Sequence, residues 1–411
     1  MNIEETREHN HRLMRLQAFW GGAANGAWVI FAIPFLIRLD ASILLISIYV
    51  ALTSVGPLLM GPIAVANLRS IGQQRHWMII CGVISRIFFF MPASALLFDN
   101  HRAEIAVAMF CICALPTVVF GAFWAPTVGL VVDKEHQPKI VNSRTRIANI
   151  GALSANGIIG LGMIVLPFPF NYVAVFFVSG ALGLAEIYVI SRIIYPDSPH
   201  TYLETFRENL HVKKILAEKQ FMYFLFGIVL IVTASSIAGP LQSVYFIEER
   251  EVSDRWMGVW AMVLSAGAVV GTLIWRRLQT KTGSYAILAW TVPVSAIYFL
   301  LIVVSPNIEL ILIATLLAGL LNAGTDVGIW LGLYRYGDES RRTMLINIYI
   351  GFALGIPFVT AFFIPFFSNK FTLTEIFIGS FVIRFVVGLY FAIPRVYDLL
   401  KDDLPPQSSD K

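Results

Sequence analysis

The chain has 411 residues, 57% of them hydrophobic and only 14% charged, with a formal net charge of +4. Soluble domains sit nearer half apolar and a quarter charged, so these proportions exclude an aqueous globular domain and indicate a chain that crosses a membrane many times. No polar stretch is long enough to fold alone, and the small excess of basic residues needs no nucleic-acid partner to explain it.

Residues 1–15 are polar, with no short apolar core and no small-residue cleavage site, and read as a cytoplasmic tail. Apolar runs of bilayer-crossing length follow at Leu16–Ile37, Ile43–Ala66, Trp77–Phe98, Glu104–Val131, Asn142–Leu166 and Tyr172–Ile194. A charged linker over 195–219 separates these from Gln220–Phe246, Met257–Trp275, Tyr285–Ser305, Glu309–Leu333, Thr343–Phe367 and Glu375–Pro394. The expected organisation is therefore a tail (1–15), a six-helix bundle (16–194), a cytoplasmic linker (195–219), a second bundle (220–396) and a C-terminal tail (397–411). Placing both termini inside puts about 23 of the 30 basic residues on the cytoplasmic side, which sets the expected orientation. The expected location is the plasma (inner) membrane.

The two sets of spans are related in sequence. Shifted by about 198 residues, Gly121 to Phe168 falls without a gap on Gly319 to Phe366. Arg144-Thr145 then meets Arg342-Thr343, Asn149-Ile150 meets Asn347-Ile348, and Pro167-Phe168 meets Pro365-Phe366. Repeats of this length in a membrane-spanning chain imply two halves of like topology.

Twelve spans, two like halves, a central linker and basic inner corners together resemble the major facilitator superfamily. That resemblance implies an all-α membrane protein of two pseudo-symmetric six-helix bundles that works by alternating access. The loop after span two, Asn67 to Arg75, keeps Gly72 and Arg75 of the family's gate motif. It carries Arg69 and Ser70 where the motif has Asp-Arg. The second copy, Gly271 to Gly283, also lacks the acid. Span four has no basic residue and span five no Gly-Pro pair, which departs from the proton-driven drug antiporters of that superfamily.

Charges deep in spans are the sharpest functional candidates, because an unpaired charge in lipid is expensive. Arg86 in span three and Glu186 in span six lie at similar depth, roughly 13 Å in, and are expected to pair. Arg384 occupies the repeat position of Glu186 and reads as a structural tie. Arg144 and Arg342 open spans five and eleven at repeat positions and are expected to hold neighbouring helix ends, through carbonyls or acids such as Asp133. Asp326 lies in span ten, a cavity-lining span in the family, and is the candidate for ion coupling. The polar and aromatic candidates for a substrate cavity are Asn25, Trp28, Tyr49, Trp124, Asn149, Asn156, Gln242, Tyr245, Asn322, Asn347 and Tyr349.

Small residues at four-residue spacing, Gly22 and Gly26, Gly267 and Gly271, and Gly351 and Gly355, are expected to let helices approach closely. The sequence contains no phosphate loop, dinucleotide fingerprint, metal-ligand cluster or nucleophile-base set, so no metal, cofactor or enzymatic activity is expected. Cys81, Cys111 and Cys113 lie in apolar runs and suggest neither a disulfide nor a metal site. The expected function is secondary active transport of a small organic solute, amphipathic or neutral, with export favoured over import. A proton or sodium would be the coupling ion, and the chain would act as a monomer in the lipid bilayer. The alternative is a transporter-like sensor or assembly partner without turnover.

Overall fold

A computed structural model describes residues 3–66, 71–132, 136–195, 219–335, 339–393 and 396. Its helices are α1 (Ile3–Arg38), α2 (Ile43–Ala66), α3 (Ile71–Phe88), α4 (Arg102–Ala122), α5 (Trp124–Val131), α6 (Gln137–Val165) and α7 (Phe170–Ser191). They continue as α8 (Lys219–Val244), α9 (Asp254–Val304), α10 (Ile308–Arg335), α11 (Glu339–Lys370) and α12 (Leu373–Ala392). A 3-10 turn, Met91–Leu97, follows α3, and a π-helical turn, Tyr245–Glu249, follows α8. No strand occurs among the described residues. Among the described residues, eleven helical stretches are long and apolar enough to cross a bilayer, and the shorter apolar stretch Ile43–Gly56 lies in α2. The protein is an integral, multi-pass, all-α membrane protein.

Backbone chemistry explains where these helices start and stop. In lipid every peptide group must bond within its own segment, so each apolar run becomes helix. Span four divides into α4 and α5 around Phe123, because Pro126 has no N–H to donate to the carbonyl of Ala122. At the start of α12, Thr372 Oγ1 accepts from the Glu375 backbone while Glu375 Oε2 accepts from the Thr372 backbone at 2.8 Å, a reciprocal cap.

Two elements depart from the expected outline. Residues 3–15, expected as a tail, continue α1 without a break, with Asn10, His11 and Met14 buried. Asn10 and the Ile194 backbone exchange two hydrogen bonds, of 2.8 and 3.0 Å. Hydropathy missed this because the buried stripe Asn10-Met14-Gln17-Gly21 is partly polar, although its spacing is helical. Spans eight and nine, expected as separate helices, form one unbroken run of helical backbone, Asp254–Val304. Hydropathy marks only the parts that cross the apolar layer, Asp254–Gln279 and Ser284–Val304, and not where backbone bonding ends.

Two compact units emerge. One comprises Met1–Phe206 with Gly239–Ser265 and Phe358–Asn369; the other comprises Arg207–Ala238, Ala266–Pro357 and Lys370–Lys411. These differ from the sequence halves, since parts of spans seven, eight and eleven pack with the first six. In the first unit α1 lies against α6 and α7, and α2 and α3 against α4. Contact between α1 and α6 is backbone to backbone. A methyl group on Gly22 would strike the Ala148 carbonyl, and one on Gly151 the Phe19 carbonyl. In the second unit Gly267 and Gly271 face the Leu316 and Leu320 carbonyls in the same way. Gly351 was expected to serve such a contact, yet nothing lies within 4 Å of its side-chain position. The apolar core of that unit centres on Phe221, Phe224, Tyr285, Leu288, Leu333 and Phe391.

This contrast is testable by thermal denaturation of purified protein. Gly22→Val is expected to destabilise by about 1–3 kcal/mol through overpacking. Gly351→Ala should be neutral or stabilising by up to about 1 kcal/mol, because only backbone freedom changes.

Candidate functional site

The first unit holds a chain of charged and amide side chains through its interior. Arg86 on α3 and Glu186 on α7, expected to pair, lie 2.6 Å apart and are 1% and 2% exposed. Glu186 also accepts from Gln17 Nε2 on α1 at 2.6 Å, and Gln17 Oε1 accepts from Arg144 on α6 at 2.9 Å. Arg86 donates a second bond to Asn25 Oδ1 on α1 at 3.1 Å. Aromatic faces complete the enclosure. The Arg86 guanidinium lies 4.7 Å from the Phe89 ring centre and 5.3 Å from that of Phe120, while Arg144 sits 4.3 Å over Trp124. A charge this deep is tolerated only when paired and hydrogen-bonded, and cation–π contacts add to that stabilisation.

Missing side chains make room for it. A methyl group on Gly183 would overlap Arg86 Cδ, and one on Gly21 would overlap Glu186 Oε1. Arg144 was expected to bond a carbonyl or an acid such as Asp133. Among the described residues it bonds the amide oxygen of Gln17; Asp133 lies outside the described residues, as do the side chains of Arg342 and Asn347.

Beside this network lies an aromatic cluster. Trp28 stacks on Phe89 at 4.6 Å and meets Phe110 edge-on at 5.1 Å, and Tyr49 lies 5.2 Å from Phe110. Both Trp28 and Tyr49 are buried, while Asn25, Trp124 and Asn149 are half-buried. Asn156 is fully buried and donates to Ser265 Oγ at 2.7 Å, with Gln242 and Tyr245 also buried in this unit.

In the second unit Arg384 on α12 donates to Ser235 Oγ on α8 at 3.0 Å and to Asn322 Oδ1 on α10 at 2.6 Å. It touches no carboxylate directly among the described residues. Asp326, one helical turn beyond Asn322, is accessible and makes no hydrogen bond or ion pair with a described residue. In the same unit the Tyr349 ring meets Trp330 edge-on at 5.8 Å.

A third cluster was not foreseen. At the end of the first unit's helices away from the N-terminus, Asp254 receives Arg38 Nε at 2.8 Å, the Tyr172 hydroxyl at 3.0 Å and Asn171 Nδ2 at 3.0 Å. Arg38 also donates to the Val252 carbonyl at 3.0 Å. In sequence these residues read as ordinary loop and span-end polars, so no local signal marked them. Gln17 was legible in principle, since Gln17, Gly21 and Asn25 repeat at four-residue spacing along α1.

Residues 55–338, more than half of the chain, match the family described as MFS/sugar transport protein. The chain belongs to this family. It is a family of transporters and not of enzymes, so the all-α, major facilitator fold and its transport class stand together. Three solved structures share the architecture. A D-xylose-proton symporter is similar with TM-score 0.71 and 12% identity, over 98% of this chain and 99% of that one. The nucleoside transporter NupG, as a D323A mutant, gives 0.69 and 13%, over 93% and 98%. A bacterial homolog of the human lysosomal transporter Spinster, inward-facing and occupied, gives 0.67 and 11%, over 97% and 99%. No curated protein matches the sequence significantly.

The first network predicts a clear mutational pattern. Arg86→Met or Glu186→Gln alone leaves one buried charge unpaired and is expected to destabilise by about 3–5 kcal/mol, seen as lower yield and melting temperature. The double variant is expected to recover part of that loss. Additive losses would show that the pair contributes nothing as a pair.

Proposed function

We propose that this chain is a secondary active transporter that carries a small organic solute across the plasma membrane by alternating access. In this proposal both termini are cytoplasmic, the chain acts as a monomer, and the moving bodies are the six-helix halves 16–194 and 220–396. The carrying observation is Asp326, an exposed carboxylate without a bonded partner among the described residues, on a membrane-spanning helix one turn from an Arg384–Asn322 tie. Ionisable groups in such positions mark ion and substrate pathways, whereas a sensor or assembly partner has no need of one. Similar folds in proteins named as a nucleoside transporter and a D-xylose-proton symporter support a solute of that size. The second of these names also favours a proton over sodium as the coupling ion. Export remains the proposed direction, on the aromatic cluster around Trp28.

Two experiments test this mechanism in proteoliposomes. Asp326→Asn is expected to abolish gradient-driven accumulation while equilibrium exchange persists. Uphill transport by this variant at the wild-type rate and pH dependence would assign Asp326 a purely structural part.

The second experiment concerns the Asp254 cluster. Alternating access requires that this clasp, which ties α1 and α7 to the start of α9, opens once per cycle. Asp254→Ala is expected to raise outside labelling of a cysteine placed near Arg38 several-fold, because about 1–3 kcal/mol of charge-assisted bonding is lost. Unchanged labelling would mean that the clasp does not hold that face closed.

A further inference from the structure

Three groups in the first unit's network carry formal charge: Arg86, Arg144 and Glu186. Among the described residues of the network, two cations and one anion leave one positive charge uncompensated. Arg86 has taken one oxygen of Glu186 and Gln17 the other. Gln17 stands between Glu186 and Arg144, bonded to both. The direct partners of Arg144 among the described residues are a neutral amide oxygen and the face of an indole ring. Uncompensated charge in a low-dielectric interior is costly, and a negative ligand relieves that cost.

The unsatisfied polar atoms point the same way. At Arg144 the buried atoms without a hydrogen-bond partner among the described residues are Arg144 Nε and Trp124 Nε1, both N–H donors; elsewhere in the unit they include the donors Arg86 Nε and Trp28 Nε1 and the acceptors Gln74 Oε1 and Asn156 Oδ1. The acceptors of the network are already engaged: both Glu186 oxygens, Gln17 Oε1 and Asn25 Oδ1. What Arg144 and Trp124 lack is therefore an acceptor. Arg144 and Trp124 are half-buried as residues while Arg144 Nε and Trp124 Nε1 themselves are covered, so a ligand reaches these two donors only by displacing what covers them, and Trp28, Phe89 and Phe110 supply an aromatic wall beside Asn25.

We infer that the transported solute is an organic monoanion, whose carboxylate or similar group binds at Arg144 and Trp124 with an apolar body alongside. This deepens the transport proposal and rests on it only for turnover, since binding is measurable without flux. A guanidinium forms short, charge-assisted bonds to a carboxylate, and the neighbouring indole N–H adds a neutral donor. An inside-negative membrane potential drives a monoanion outward, which accords with export.

The test uses the full chain in nanodiscs, with phenylacetate and cyclohexanecarboxylate as probes. Phenylacetamide serves as the neutral isostere, phenethylamine as the cation and chloride as the bare anion. Binding is read by equilibrium dialysis and by thermal shift. The expected result is saturable binding of both carboxylates, with phenylacetamide and phenethylamine at least about tenfold weaker. Arg144→Gln is expected to lose about 10–100-fold in carboxylate affinity, with Arg144→Lys recovering part of it.

Trp124→Phe, which keeps the fold and the charge, should lose less, about 3–10-fold. The inference is overturned if the amide binds as well as the acid, if chloride displaces the acids at equal concentration, or if neither carboxylate binds at millimolar levels. It also fails if folded Arg144→Gln binds like wild type. Flux separates the two proposals. Neutral solute moved uphill by Arg144→Gln would sink the anion site and leave transport standing. Bound carboxylate with no flux under either sign of potential would do the reverse.

Discussion

An ion pair inside a bilayer is the constraint on which the first unit depends. Neither Arg86 nor Glu186 could remain charged alone at 1% and 2% exposure, so each must find the other and every remaining polar valence must be filled. Filling them recruits Gln17 and Asn25 from α1 and, through Gln17, Arg144 from α6. Four helices are thereby fixed in rotation about their axes, because each must point one particular face at the same small volume. Apolar packing alone specifies rotation weakly in lipid, where tails are as apolar as leucine.

Glycines serve this arrangement in two ways. Gly21 and Gly183 leave the space that the glutamate and arginine side chains occupy. Gly22 and Gly151 bring the backbones of α1 and α6 into contact one step round the helix, which sets the distance across which Gln17 meets Arg144. Larger side chains would push the helices apart and unmake the charge network as well as the packing.

The two halves have kept their repeat while diverging in charge. Glu186 and Arg384 occupy equivalent positions, yet one is an acid paired with Arg86 and the other a base held by Ser235 and Asn322. The first half consequently carries a closed pair with one arginine to spare. In the second, an arginine on neutral oxygens stands near Asp326, a carboxylate left accessible. Duplicated scaffolds supply like topology, and the differences between equivalent positions are where a directed transport cycle gains its asymmetry.

Much of this was legible from residue order. Span number, the repeat and the major facilitator resemblance all follow from hydropathy and spacing, because lipid forces each apolar run of sufficient length into a helix. The pairing of Arg86 with Glu186 was legible too, since each charge at that depth demands a partner and the other was the one at matching depth. Other features needed the tertiary structure. The helical continuation of residues 3–15, the unbroken course of Asp254–Val304 and the split at Phe123 depend on backbone bonding that hydropathy does not report.

Among the described residues Arg144 met Gln17 and Trp124, and Asp254 met Arg38, Asn171 and Tyr172, because helix rotation and close approach decide which polar groups meet. Sequence by itself determined that charges deep in the spans had to be neutralised, since the bilayer's low dielectric acts on every residue regardless of its neighbours. Only the tertiary structure decided which were neutralised and which were left over, because hydrogen bonds and ion pairs form over about 3 Å and helix spacing alone does not resolve that distance.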